Sequence, residues 1–282
     1  MTHVTIDNEG LALAATVTGT PSDPAVLFLH GITMARDAWD EIAHRLADRF
    51  HVWTVDFRGH GHSARAMDYR VSGYVSDASR VLDAIGRPAV VVGHSLGGVV
   101  AGVLAQRGDP RLHAALLVDP PWYFGVAEEY QRTVFPSRFA LLFGLLEKLR
   151  AEHAPLETYV TYVGNMPHPA GGVLRDHVGY RHLLSHASAL QRLDLACWPH
   201  DTAAMFDGVD PSHPFRAPIT VIRADERFGA ALLPDQSERM RAINPDVEEL
   251  YYEGAEHIMH RSHRFAGRFA ADVERFVQRW AR

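Results

Sequence analysis

Residues 90–100 of the chain read Val90-Val91-Val92-Gly93-His94-Ser95-Leu96-Gly97-Gly98-Val99-Val100. The β-branched residues at the start predict a buried strand, and the apolar residues at 99–106 predict a helix. Between them lies a G-x-S-x-G pattern, whose sharp turn would strain the backbone of Ser95 and lift its hydroxyl above the sheet. The backbone N–H of Leu96 would then point from the helix start toward a forming oxyanion. The stretch therefore predicts a nucleophilic serine.

The composition is typical of a globular protein with one large domain, or with a core and one inserted subdomain. The 282 residues are 47% hydrophobic and 22% charged. A net charge of −6 argues against a nucleic-acid partner. The sole cysteine, Cys197, excludes an intrachain disulfide. Neither a signal-peptide pattern nor a membrane-length apolar run is present, so we expect a cytoplasmic protein without stable membrane association. The oligomeric state is left open, a homodimer included.

Strands and helices are predicted to alternate at short spacing in the first part of the chain. The predicted strands are 4–6, 11–17, 25–29, 52–55, 90–92 and 114–118, and the predicted helices are 35–50, 74–85 and 99–106. The first two strands form a hairpin, and the later ones are continuous apolar runs, as expected of strands buried on both faces. This alternation predicts an α/β fold with a mostly parallel, doubly wound sheet.

The alternation stops after the sixth predicted strand and resumes about a hundred residues later. Between these points the pattern predicts helices at 139–149, 156–163, 175–189 and 202–206. Strands at 219–223 and 248–252 then alternate with helices at 233–243 and 265–280. We therefore expect a core formed by residues 1–119 and 215–282, with residues 120–214 inserted as a helical cap.

Four motifs, each at the predicted end of a strand, occur in the order that they have in one known superfamily. They are His30-Gly31, the run Asp56-Phe57-Arg58-Gly59-His60-Gly61-His62-Ser63, the turn around Ser95, and Gly254-Ala255-Glu256-His257. On these motifs the chain resembles the α/β-hydrolase fold superfamily over residues 3–119 and 215–282. The resemblance implies a serine hydrolase with a helical cap. Haloalkane dehalogenases and epoxide hydrolases of this fold carry Asp at the nucleophile position, which sets those activities aside.

A serine hydroxyl is a weak nucleophile at neutral pH and needs a base within hydrogen-bonding reach. The resemblance implies that Ser95 is the nucleophile and His257 the base, with His260 as the rival histidine three residues later. It also implies that the backbone N–H groups of Ile32 and Leu96 form the oxyanion hole.

The remaining residues of these motifs are expected to shape the site. The resemblance assigns His30, Gly31 and His94 to the substrate-binding region. His60 and His62 have a spacing that could suggest a metal, but in the family this run is a structural loop. We therefore expect no metal, and the absence of a phosphate-binding loop or dinucleotide fingerprint implies no cofactor.

The acid that orients the histidine is not decided by the sequence. Most relatives carry G-x-x-D after the seventh strand, but here Ala224 replaces the glycine and Arg227 stands where the acid belongs. Asp225 or Glu226 could serve if this loop is shifted. Asp119, after the sixth predicted strand, is the other candidate, because one group of haloalkane dehalogenases keeps its acid there. All three carboxylates remain open.

The cap suggests an uncharged or weakly polar small-molecule substrate, because it is rich in aromatic residues. Trp122 and Tyr123 directly follow a strand's carboxyl end, where open α/β sheets bind ligands, and are predicted to line the pocket. The predicted function is hydrolysis of an ester or lactone through an acyl-enzyme. The alternatives are a C–C bond hydrolase acting on an aromatic ring-fission product and a non-catalytic ligand-binding protein on the same fold.

Overall fold

The computed structural model describes residues 1–198 and 201–281, and within these ranges eight strands form one sheet. The strands are β1 (Thr2–Asn8), β2 (Leu11–Thr18), β3 (Ala25–Leu29), β4 (His51–Val55), β5 (Ala89–His94), β6 (Leu112–Val118), β7 (Ile219–Arg223) and β8 (Glu248–Tyr251). Their order across the sheet is β1-β2-β4-β3-β5-β6-β7-β8. The hairpin β1–β2 joins β4 in antiparallel fashion, and all pairs from β4 to β8 are parallel. The predicted fold class is confirmed.

Helices cover both faces of the sheet, because the central strands are apolar on both sides. Every residue of β3, β4 and β5 is buried. Leu27 and Val91 pack toward one face, with α2 (Val71–Ile85) and α3 (Leu96–Arg107), and their neighbours in sequence pack toward the other. That second face is covered by α1 (Asp40–Leu46) and α10 (Ala266–Trp280). Alternating side chains of one strand thus belong to two separate hydrophobic cores, one on each face of the sheet.

The described part of the segment between β6 and β7 is largely helical, and it includes one helix, at Ala127–Gln131, that the sequence pattern does not predict. Its helices are α4 (Ala127–Gln131), α5 (Phe135–Ala151), α6 (Leu156–Gly164), α7 (Tyr180–Arg192) and α8 (Thr202–Met205), and α9 (Pro234–Ile243) follows β7. No helix in the described ranges is both long and apolar enough to cross a bilayer.

Two helix predictions were wrong in their extent. The helix predicted at 175–189 is divided into a 3-10 turn at Leu174–Asp176 and α7, because the chain runs extended through Gly179 before α7 begins. The helix predicted at 35–50 is shorter, and consists of a 3-10 turn at Arg36–Trp39 followed by α1.

Candidate active site

Ser95 lies in the sharp turn between β5 and α3. Its backbone has φ +53° and ψ −118°, a conformation that is strained for a residue with a side chain. Its N–H donates to the carbonyl of Val118 at 2.9 Å, which ties the turn to the end of β6. A Cβ at Gly97 would lie 2.3 Å from the carbonyl oxygen of Leu29, so only glycine lets α3 start this close to β3. The sequence pattern therefore has a steric cause.

Ile32 and Leu96 line the same pocket as Ser95. Leu96 is the first residue of α3, where backbone N–H groups have no partner inside the helix. The loop that carries Ile32 is fixed by His60, whose Nε2 lies 2.7 Å from the Ile32 carbonyl oxygen. It also needs Gly31, because a Cβ there would lie 2.8 Å from Nδ1 of His94. The backbone of Ile32 and that of Leu96 are thus both held beside the pocket at Ser95.

His257 contacts Asp119 directly. The distance from His257 Nδ1 to Asp119 Oδ2 is 2.6 Å, and both residues are buried. Asp119 follows β6 with φ +43°, and its carboxylate accepts the N–H of Ala231 at 2.8 Å and those of Ala224 and Leu232 at 3.3 Å each. These backbone donors fix the carboxylate in place. Since Nδ1 is engaged, Nε2 is the ring nitrogen of His257 that remains for a reacting hydroxyl.

Asp225 has other partners and does not contact His257. Its carboxylate accepts the N–H of Gly254 at 2.7 Å and forms an ion pair with Arg227, in which Nη2 lies 2.6 Å from Oδ2. The Arg227 guanidinium holds the pKa of Asp225 well below its usual range. Glu226 pairs with Arg223 at 3.2 Å. Of the three candidate acids, Asp119 is the one that the fold brings to the histidine.

The rival histidine is part of the scaffold. His260 is buried and stacks on Trp39 with ring centroids 5.0 Å apart, and neither ring nitrogen has a hydrogen-bond partner among residues 1–198 and 201–281. His94 is also buried, and its Nε2 lies 2.9 Å from the carbonyl oxygen of His257, to which it donates. Burial lowers the pKa of both imidazoles well below the usual value, so both are neutral. His94 thus links the Ser95 turn to the loop that carries His257.

His30 also lies in the scaffold and not in the pocket wall. Its Nδ1 lies 2.9 Å from the carbonyl oxygen of Gly31, and its Nε2 accepts the N–H of Phe57 at 3.1 Å. His60 has its ring nitrogens against the carbonyl oxygens of Arg58 and Ile32, at 2.8 Å and 2.7 Å. Within the described part of the chain, no group of three or more His, Cys, Asp or Glu side chains has a metal-binding arrangement.

A narrow, partly open pocket lies at Ser95. The rest of its wall comes from the segment between β6 and β7, which contributes Pro121, Phe124, Phe135, Phe139, Trp198, Met205 and Phe206. The ring of Phe135 meets that of His257 edge-on, with centroids 4.9 Å apart, so the histidine borders the same space. The side chains that line the pocket are aliphatic or aromatic except for that of Ser95.

The two residues expected to line the pocket lie elsewhere. Trp122 is buried against Gly102 of α3 and Phe215, and Tyr123 packs under the guanidinium of Arg239. The position after β6 was the right one, but the chain turns there, so Pro121 and Phe124 reach the pocket instead. The i, i+4 spacing of Phe135 and Phe139 was the available signal for the remaining wall, but that spacing predicts helix packing equally well.

The fold, the strained serine turn and the Asp–His pair at the carboxyl ends of the strands are together characteristic of one protein family. A family model of the alpha/beta hydrolase family matches residues 26–271, and the chain belongs to this family. The resemblance predicted from the four motifs is therefore confirmed.

Among curated proteins, the chain is similar to a lipase, LipV, of Mycobacterium tuberculosis, with 40% identity over 102 residues. It is also similar to a monoacylglycerol lipase of Xenopus laevis, with 35% identity over 111 residues. These matches cover 36% and 37% of this chain, and 39% and 33% of the relatives' length. The chain therefore matches well under half of each relative.

Solved structures resemble the whole chain. A bromoperoxidase from Bacillus anthracis superposes with a TM-score of 0.77 at 16% identity, and the match covers 98% of this chain and 100% of that one. The esterase RhEst1 from a Rhodococcus species has a TM-score of 0.71 at 22% identity, with 99% of both chains covered. At these identities the likeness concerns the fold alone.

Proposed function

We propose that this protein is a serine hydrolase that cleaves a carboxylic ester or lactone through an acyl-enzyme. The observation that carries the proposal is the contact of 2.6 Å between His257 and a buried Asp119, beside the pocket at Ser95. A nucleophile, an oriented base and paired oxyanion donors are the parts that acyl transfer requires. The similarity to lipases over about a third of the chain supports ester hydrolysis in general terms.

Each part has one chemical role. The Ser95 hydroxyl attacks the substrate carbonyl carbon while Nε2 of His257 takes its proton. Asp119 holds the imidazole in the tautomer with hydrogen on Nδ1 and stabilises the imidazolium. The N–H groups of Ile32 and Leu96 bind the oxyanion. The proton then passes to the departing alkoxide, and His257 activates a water that hydrolyses the acyl-enzyme and restores Ser95.

The substrate is small and largely apolar, because the pocket is narrow and its walls are aromatic. Residues 120–214 would act as a cap over the core, since they supply most of that wall. Phe139 and Trp198 lie with ring centroids 4.1 Å apart and limit the room available for an acyl chain. We therefore expect short acyl groups to be preferred over long ones.

A fluorophosphonate probe combined with short 4-nitrophenyl esters tests this function. The wild-type protein should be labelled and should turn over the esters, and Ser95→Ala should abolish both. The matched control is Ser63→Ala, which replaces a serine that does not line the pocket. The probe should still label this variant. A wild-type protein that neither reacts nor turns over would contradict the proposal and favour a non-catalytic ligand-binding protein. Labelling without ester turnover would favour the C–C bond hydrolase.

A further inference from the structure

Helix α5 carries a cation on the side that faces the pocket. Phe135, Arg138 and Phe139 have the spacing i, i+3, i+4, which places their side chains on one side of the helix. Phe135 and Phe139 line the pocket at Ser95, and Phe135 also contacts the ring of His257. Arg138 therefore projects from the same side of α5 as two residues that line the pocket, without lining it itself.

The guanidinium of Arg138 lies beside the loop that holds the acid. A Cβ at Gly229 would be 2.9 Å from its Nη1. Gly229 is two residues before Ala231, whose N–H donates to Asp119. The cation thus lies where α5 meets the loop after β7, close to the Asp119–His257 pair.

Arg138 has no charged partner in the described protein. The Arg138 side chain is exposed to solvent. Its guanidinium forms no ion pair within 4 Å and no hydrogen bond with residues 1–198 or 201–281, whereas the guanidinium of Arg132, which is likewise exposed, pairs with both Glu129 and Asp235. The protein around Arg138 removes part of its hydration and so lowers the pKa of the guanidinium, and no carboxylate of the described residues lies within 4 Å to offset this effect. Such a cation is poised to bind an anion.

The carboxylates of the loops that carry Asp119, Gly229 and His257 have other neighbours. Asp119 contacts His257, Asp225 pairs with Arg227, and Glu226 pairs with Arg223. Glu256 faces Nε2 of His168 at 3.8 Å, and the His168 ring stacks on His177 with centroids 3.6 Å apart. The charge of Arg138 also acts on His168, so the cation and this histidine pair lie in the same neighbourhood. The side of α5 that faces the pocket therefore carries a positive charge with no carboxylate of the described residues within 4 Å.

We propose that Arg138 binds a carboxylate carried by the substrate, so that the substrate is an ester or lactone with an apolar body and an acidic end. This inference rests on the proposed function and names the substrate class of the same site. The aromatic walls receive the apolar body, and the planar guanidinium holds the carboxylate through two parallel N–H···O bonds. Arg138 is thus a residue that determines specificity without touching the scissile bond.

Matched pairs of esters test the proposal. On the acyl side, mono-(4-nitrophenyl) glutarate is compared with 4-nitrophenyl pentanoate. On the leaving-group side, a butyrate ester of 5-hydroxy-2-nitrobenzoate is compared with 4-nitrophenyl butyrate. For each pair we measure the ratio of kcat/KM for the anionic ester to that for the neutral ester, at low salt and at 0.5 M NaCl.

One of the two ratios should be about tenfold or more higher in the wild-type protein than in the Arg138→Gln variant. That factor corresponds to the usual contribution of a charge-assisted hydrogen bond. Arg138→Lys should retain part of the difference, and added salt should reduce it. The control Arg181→Gln removes an exposed arginine of α7 that likewise has no ion pair within the described part of the chain, and should leave both ratios unchanged.

The outcomes separate this inference from the function on which it rests. If the wild-type protein cleaves the neutral esters but Arg138→Gln changes neither ratio by more than twofold, the carboxylate site is wrong and the ester hydrolase stands. A fall of both ratios in Arg181→Gln equal to that in Arg138→Gln would also overturn it, since any loss of positive charge would then suffice. If no ester is cleaved at all, the proposed function itself fails.

Discussion

Two aspartates follow neighbouring strands of the sheet, and they have different partners. Asp119, after β6, meets His257 at 2.6 Å and accepts three backbone N–H groups. Asp225, after β7, accepts the N–H of Gly254 and pairs with Arg227. Both carboxylates are fully buried. Residue type, strand-end position and burial are therefore shared, and only the neighbours differ: one carboxylate contacts a histidine, and the other holds a backbone N–H and an arginine.

The same contrast holds for two histidines of one loop. His257 has a carboxylate partner, whereas His260, three residues later, stacks on Trp39 with both ring nitrogens unpartnered among the described residues. The difference shows that the chemistry open to a titratable side chain depends on the hydrogen-bond partners of its polar atoms. Each of the following experiments changes one member of these pairs.

The largest effect on activity is expected from replacing Asp119 by asparagine, with the same replacement of Asp225 as the comparison. Asp119→Asn should lower kcat/KM for a short 4-nitrophenyl ester by about a hundredfold or more, because the tautomer and orientation of His257 are no longer enforced. Asp225→Asn should lower it by less than about tenfold. Equal losses in the two variants, or a larger loss in Asp225→Asn, would reverse the assignment of the acid.

Asp225→Asn should instead reduce the stability of the protein. The change leaves the N–H of Gly254 with a weaker acceptor and removes the ion pair with Arg227. A loss of about 1–3 kcal/mol in the free energy of unfolding is expected, measured from urea midpoints at pH 7. Arg227→Gln is the matched control, and should cost less because the arginine is exposed. A stable Asp225→Asn protein would mean that the loop does not depend on this carboxylate.

Buried histidines without charged partners should make the protein sensitive to acid. Burial lowers the pKa of His186, on α7, to about 3, whereas in the unfolded chain it titrates near 6.5. Between these values the unfolded chain binds the extra proton, so stability falls as the pH falls below about 6.5 and is independent of this group above it. The slope from this residue is on the order of 1 kcal/mol per pH unit.

The variant His186→Leu isolates this contribution. Urea unfolding of both proteins at pH 7, 6 and 5 should give a shallower fall for the variant, with the difference growing as the pH decreases. Parallel lines for the two proteins would show that the folded state protonates His186 as readily as the unfolded chain does.

The smallest effect is expected at His260. Replacing it by phenylalanine removes two buried nitrogens that have no partner in the described structure and keeps a ring that can stack on Trp39. The free energy of unfolding should change by less than about 1 kcal/mol in either direction, and ester turnover should fall by less than about tenfold. A loss of activity comparable with that of His257→Gln would mean that His260 acts as a base.

The sequence by itself determined the class of the fold and where its motifs lie along the chain. Apolar runs at 25–29, 52–55 and 90–92 predict buried strands whatever their partners are, and the structure has strands there. The strained turn at Ser95 could be predicted because glycine and serine at that spacing leave the backbone few alternatives. These are local properties, determined by sterics and hydrophobic periodicity within about ten residues.

The tertiary structure alone decided which side chains meet. Asp119 and His257 are 138 residues apart, and their contact depends on backbone N–H groups from a third segment, at Ala224, Ala231 and Leu232. The turn after β6 likewise directs Phe124 into the pocket and Trp122 away from it. Contacts between distant segments depend on the path of each connecting loop, and a difference of one residue in a turn redirects a side chain. For that physical reason the choice of acid and of pocket wall could not be made from local patterns.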